Sequence, residues 1–218
     1  FRRVLFRSLL DYHESFIGLY QQPIFSVLFK TRYEQTDESL AKYFKKILYV
    51  DKNGKIFLRR IYDPKVIFQL NCYESRFDIL SNIFKPFSDV SIFFNKKFIT
   101  FTLNEDAIQQ DGILENVSFS KISLVNRLVD ILNLNDRDIN FIQYFSKSTF
   151  DDIEIINKFL GHELGKFDYL ALLYHVKLLG IDFLKLDEVK GVLNHDEGYF
   201  KASKSLDDEN WEKIFNKL

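Results

Sequence analysis

In Arg59-Arg60-Ile61-Tyr62-Asp63-Pro64 two guanidinium groups, a phenol and a carboxylate crowd against a proline. Such side chains can grip a carboxylate or a backbone carbonyl through the arginine forks and offer amphipathic contact area through the tyrosine. They can also do a purely local job. Asp63 has the chemistry of a helix N-cap, and Pro64 that of the first helical residue, where a missing N–H costs nothing and the ring presets φ. Capping accounts for Asp63 and Pro64 and leaves Arg59, Arg60 and Tyr62 over. Alternation along a strand ending here would put Arg60 and Tyr62 on opposite sides from Arg59 and Ile61, so one face of a core strand should be cationic.

Other candidate chemistry is thin. His162 and His175 are too far apart for a paired zinc helix, "HELGK" has no second histidine, and the one cysteine, Cys72, cannot complete a thiolate site. Cys72 is expected as a buried structural thiol. Glycines 161 and 165 lack the Lys-Ser/Thr of a phosphate loop. The sequon Asn116-Val117-Ser118 has meaning only in a glycosylating pathway. Asp151-Asp152 has the look of a helix start rather than of a catalytic dyad. No reaction is named by these residues.

The elements that must position these groups fall into two regions. Residues 1–8, "FRRVLFRS", match the translation of a common sequencing-adapter oligonucleotide, and they hold three of nine arginines in a chain without methionine. They are set aside as a scar. From 9 to 103 the pattern is α+β, a small mixed sheet with hairpins and packed helices. "HESFIGLYQQ" reads as a helix, "IFSVLFKT" as a buried strand, and Thr36-Asp37 as the opening of a helix with Leu40, Phe44 and Ile47 on one face. Asn53-Gly54 between two apolar runs predicts a two-residue hairpin turn, and Asn95-Lys96 predicts a second with weaker turn chemistry. Between the hairpins, "KVIFQL" and "SRFDILSNIF" look helical. From 104 to 218 the pattern is all-helical, with a loose boundary at 104–112. Ile122, Val125, Val129 and Leu132 repeat at helical spacing, as do Ile153, Ile156, Leu160 and Leu164, and Gly180 should end the helix through "FDYLALLYHVKLLG".

Composition limits the partners. Lys+Arg number 30 and Asp+Glu 31, a formal net charge of -1, so no overall basic field draws the chain to nucleic acid or to an anionic membrane. "YLALLYHVKLLGIDFL" is interrupted by His175, Lys177 and Asp182 before it reaches a bilayer-spanning length. A lone cysteine suits a reducing, cytoplasmic setting.

The run "LAKYFKKILYVDKNGKIFLRRIYDPKVIFQL" resembles the core of the type VI secretion effector-chaperone family, the Tap or TEC adaptors encoded beside VgrG spike genes. Phe29-Lys30-Thr31 matches the end of that family's strand, Leu40 to Ile47 its helix, and Asn53-Gly54 its turn. Arg60-Ile61-Tyr62-Asp63-Pro64-Lys65 matches its signature. Lys30 and Lys65 stand where the family has arginine, which removes a bidentate contact, and Ile61 stands for an aromatic residue. The similarity covers about 9–98 and extends more loosely to the helical tail; the family's first strand and helix have no counterpart.

The resemblance implies a non-catalytic cytoplasmic adaptor that binds a secreted effector and helps to load it onto VgrG, with no cofactor, no nucleic acid and no membrane partner. The effector surface is expected near the signature, with Arg59, Arg60 and Lys65 taking carboxylate or carbonyl groups and Tyr62 giving contact area. Two other readings compete. A nucleic-acid-binding module is raised by lysines among aromatics in "KYFKKILYV" and "FFNKKFITF". A hydrolase would need a nucleophile within reach of His162 or His175.

Overall fold

A computed structural model of the chain describes residues 26–73, 78–106, 113–161 and 164–218. The adapter-like residues 1–8, the expected helix at 13–22, the opening of "SRFDILSNIF" and His162 lie outside them. The described residues divide into two compact units, 1–126 and 127–218.

In the first unit, β1 (Val27–Thr31) is followed by helix α1 (Asp37–Leu48). Thr36 caps that helix by accepting from the Ser39 N–H, and Lys45 and Lys46 sit in its last turn, where they complement the dipole. The first expected hairpin forms from β2 (Tyr49–Lys52) and β3 (Lys55–Leu58), with Asn53 at φ 55° and Gly54 at φ 75°. Both positive angles are those of a type I′ turn, and the Gly54 N–H donates to Asp51 Oδ1 at 2.9 Å. Helices α2 (Pro64–Cys72) and α3 (Ile79–Ile83) lead to the second hairpin, β4 (Phe87–Phe94) and β5 (Lys97–Thr102), whose turn residues Asn95 and Lys96 adopt φ 52° and 62°.

The sheets are antiparallel in every described pair, in the order β1-β4-β5, with β2-β3 as a separate ribbon. The α+β class therefore holds, while the expected mixed sheet is corrected. Two-residue turns join β2 to β3 and β4 to β5, and such turns can only return the chain antiparallel. Strand β4 is central. Val90, Ile92 and Phe94 alternate along it and are buried, and Phe68 of α2 stacks on Phe94 with ring centroids 4.5 Å apart. Phe29, Phe44, Phe84 and Phe87 join α1 to β1 and β4 in one aromatic cluster. The Tyr43 hydroxyl donates to the Ile83 carbonyl, and burial pushes its pKa up to about 12. Cys72 is buried, as expected.

Helix α4 (Ile113–Asn116) packs beside α3, and α5 (Phe119–Ile131) carries the chain from the first unit into the second, with Ile122, Val125 and Val129 buried along it. The change in element type at 104–112 thus precedes the division in packing, because α4 and the first half of α5 belong with the strands. Beyond α5 the described residues are helical. Helix α6 (Ile139–Leu160) is capped by Asp138 and ended by Gly161 at φ 67°. Ile153 and Ile156 are buried on it, but Leu164 falls past its end, so the four-residue repeat does not continue as one helix. Asp151-Asp152 is interior to α6 and not a helix start.

Helix α7 (Lys166–Leu179) ends at Gly180, as expected, and α8 (Asp187–Leu193), α9 (Tyr199–Lys204) and α10 (Asp208–Phe215) follow. Polar contacts fasten this unit. The buried Tyr169 hydroxyl lies 2.9 Å from the Ile153 carbonyl and 2.8 Å from Asn157 Oδ1, a shared donor from α7 to α6. Lys177 pairs with Asp152 at 2.5 Å, donates to Ser148 Oγ at 2.8 Å and lies over the Phe145 ring, with both charged side chains largely buried. Asp168 accepts from the Phe200 N–H at 2.8 Å and so caps α9 from α7.

Candidate functional site

The signature stretch begins where β3 stops. The strand ends at Leu58, and residues 59–63 form the turn into α2, so strand alternation does not extend through them. All four β3 residues are exposed, and the expectation of a core strand with one cationic face is corrected. Among the described residues the ribbon is a sheet of its own, separate from the three-stranded one. Ile61, the residue of the signature that does reach the core, is 1% exposed.

Asp63 and Pro64 do what local chemistry predicts. Asp63 Oδ1 accepts from the Lys65 N–H at 3.0 Å, and Pro64 opens α2. The second carboxylate oxygen holds Arg60 Nη2 at 2.7 Å, a contact within one turn of chain. The four proposed contact residues divide. Arg59 is half-buried: its N–H donates to the Leu48 carbonyl at 2.6 Å, and burial pulls its guanidinium pKa down while the carboxylate of Glu115 opposes the shift. Arg60 and Tyr62 are exposed, and Lys65 is half-buried in the first turn of α2. Arg60 and Tyr62 are thus the members of the set presented outward.

Sequence reasoning missed the apolar surface next to them. Tyr49, Ile56, Phe57 and Leu58 are 49%, 74%, 48% and 50% exposed. Cross-strand register pairs Tyr49 with Leu58 and Asp51 with Ile56, which places Tyr49, Ile56 and Leu58 on one face of the ribbon and Phe57 on the other. The segment of chain that carries them is basic. Between Lys42 and Lys65 eight lysines and arginines meet two aspartates, a local net charge of +6, so the remainder of the chain carries -7. The signal was present in the sequence as local charge, and the near-neutral total concealed it.

No family model, no curated protein and no solved structure matches the chain.

The histidine that is described takes a packing role. His175 Nδ1 is 2.7 Å from the Tyr199 hydroxyl, with the Trp211 ring centroid 5.0 Å away and Phe183 behind it. Burial lowers the imidazole pKa and raises that of the phenol, so the neutral form of each is favoured. The pair links α7 to α9 without a serine, threonine or cysteine hydroxyl or thiol in its hydrogen bond. Among the described residues no group of three His, Cys, Asp or Glu side chains could hold a metal ion, and no helix is long and apolar enough to cross a membrane.

Proposed function

We propose that the chain is a non-catalytic adaptor of the type VI secretion effector-chaperone kind, which holds an effector polypeptide in the bacterial cytoplasm and helps to load it onto the VgrG spike. The observation that carries this reading is the exposed apolar ribbon Tyr49/Ile56/Phe57/Leu58 lying in sequence directly before outward-facing Arg60 and Tyr62. Aromatic and arginine side chains at the edge of an apolar patch are the composition of protein-binding hot spots. The order of the helix, turn and signature in the sequence supports the same family. Co-expression of the full open reading frame with the neighbouring VgrG and effector genes tests it. Both are expected to co-purify with the chain, and Arg60→Ala combined with Tyr62→Ala should weaken effector capture at least fivefold. Recovery of neither protein by the folded chain rejects the adaptor reading.

The local charge of +6 favours a second reading, a nucleic-acid-binding module. Counterion release would then make oligonucleotide affinity fall steeply with salt. Absent binding at low ionic strength removes this reading.

A further inference from the structure

Among the described residues strand β3 is paired along one edge. The Arg59 N–H bond to the Leu48 carbonyl continues the ladder, and the two-residue turn closes it at Lys52 and Lys55. In an antiparallel pair hydrogen-bonded and non-hydrogen-bonded positions alternate, so Val50 and Phe57 exchange bonds, while the N–H and C=O groups of Ile56 and Leu58 turn away from β2. Among the described residues no strand pairs with that outer side. The opposite edge of the ribbon is less open, since the Tyr49 N–H already donates to the Lys45 carbonyl.

An exposed strand edge with apolar side chains is a template for another strand, and proteins that do not use one blunt it with charge, proline or a covering element. Among the described residues no element covers this edge, and Ile56 and Leu58 stand on it with Tyr49 beside them. Lys45, Lys46, Lys55 and Arg60 are exposed nearby in the same +6 segment. Backbone hydrogen bonds supply affinity in strand addition, and alternate side chains supply selectivity. A segment that fits this edge alternates apolar residues, which lie against Tyr49, Ile56 and Leu58, with acidic residues, which meet the lysines.

We propose that the outer edge of β3 receives an extended, acidic segment of the partner polypeptide as a third strand of the ribbon. This deepens the adaptor reading and rests on it, since it states how the effector is held. The charge complement selects acidic polypeptide over a neutral one, and the unpaired backbone groups select an extended strand over a helix.

The test uses the full chain and a labelled ten-residue peptide of alternating glutamate and valine, followed by fluorescence anisotropy at physiological salt. Binding is expected. It should weaken at least tenfold for the lysine-valine peptide, for the same glutamate-valine sequence with its central backbone amides N-methylated, and for the Ile56→Pro chain. The proline removes an outward-pointing donor and leaves the β2–β3 bonds in place. Leu58→Glu, which keeps the backbone intact, should weaken binding to a similar degree, and Lys213→Ala in the other unit should not change it. Equal binding of the N-methylated or lysine-valine peptide overturns the proposal. So does absence of binding by the unaltered chain, binding to phosphatidylserine vesicles or an oligonucleotide in place of the peptide, or a concentration-dependent dimer abolished by Ile56→Pro, which would give the edge to a second copy. Effector capture by Ile56→Pro and Leu58→Glu at the unaltered level would overturn the edge and leave the adaptor reading standing. Failure of the unaltered chain to capture effector or VgrG would overturn the adaptor reading itself.

Discussion

Replacing Asp63 by alanine and by asparagine separates the two jobs of the signature. The carboxylate caps α2 through the Lys65 N–H and pairs with Arg60 across one turn. Loss of an N-cap costs about 0.5–2 kcal/mol. The Arg60 side chain is 69% exposed, so its pair with Asp63 is screened and adds about 0–1 kcal/mol. Asp63→Ala removes both, and a loss of about 1–2 kcal/mol raises the opening constant of α2 about 5- to 30-fold. Asparagine keeps the capping oxygen and forfeits only the charge, so Asp63→Asn and Arg60→Ala should each change opening by less than about fivefold. Hydrogen–deuterium exchange of the peptide spanning residues 64–73 reads this directly. The single tryptophan, Trp211, lies in the other unit, and its fluorescence melting curve should be unchanged in all three variants. Arg60→Ala should nonetheless weaken effector capture. If Asp63→Asn opens α2 as fast as Asp63→Ala, the cap is not where the stability lies. If Arg60→Ala matches Asp63→Ala, the signature arginine is structural and the proposed contact falls.

Three further outcomes concern the helical unit. Gly198, at φ 85° and ψ 158°, occupies a region open essentially to glycine alone, and an added Cβ would meet Asp168 Oδ1 at 2.9 Å; Gly198→Ala should cost about 2 kcal/mol, seen as an earlier Trp211 fluorescence transition in denaturant. Lys177→Met strands the largely buried Asp152 carboxylate and should cost about 3 kcal/mol, and adding Asp152→Leu should recover most of it, because two apolar side chains leave no unpaired charge. His175 has a folded pKa below its ordinary 6.5, so the unfolded chain takes up the proton first as pH falls; this unit should be at full stability above about pH 6.5 and lose it as pH drops toward and through the lowered folded value. Melting at pH 7.5 and 5.5 checks that sign, and His175→Gln should reduce the difference between the two.

How much of this was legible depends on the range of the cause. Asn53-Gly54, Asn95-Lys96 and Asp63-Pro64 carry their conformations in their own backbone preferences, so both turns and the helix start could be read from two residues each. The aromatic cluster of Phe29, Phe44, Phe84 and Phe87 was half legible, since periodicity marked Phe44 as inward-facing without saying what it meets. The exposure of β3 was not legible. Apolar periodicity states which face a side chain takes, and it is silent on whether another layer covers that face. Asp151-Asp152 misled for a related reason: the pair resembles a beginning but lies inside a 22-residue helix capped at Asp138, where Asp152 is tied to Lys177 on the next helix and Asp151 is exposed. That contact joins residues 25 positions apart and exists only once the helices pack.

The cradle around Asp168 also constrains which sequences can share this fold. A Cβ at Gly165 would lie 2.8 Å from Asp168 Oδ2, as one at Gly198 would lie 2.9 Å from Oδ1, and the Oδ1 atom also caps the helix that starts at Tyr199. One short carboxylate therefore occupies the space of two absent side chains. In divergent descendants positions 165 and 168 should drift as a pair: a larger residue at Gly165 becomes tolerable after Asp168 has shortened, the helix beginning at Tyr199 must then acquire its cap from elsewhere, and Gly198 stays glycine for its backbone angles. Paired substitutions at 165 and 168 would be the evolutionary trace of a contact that neither position reveals alone.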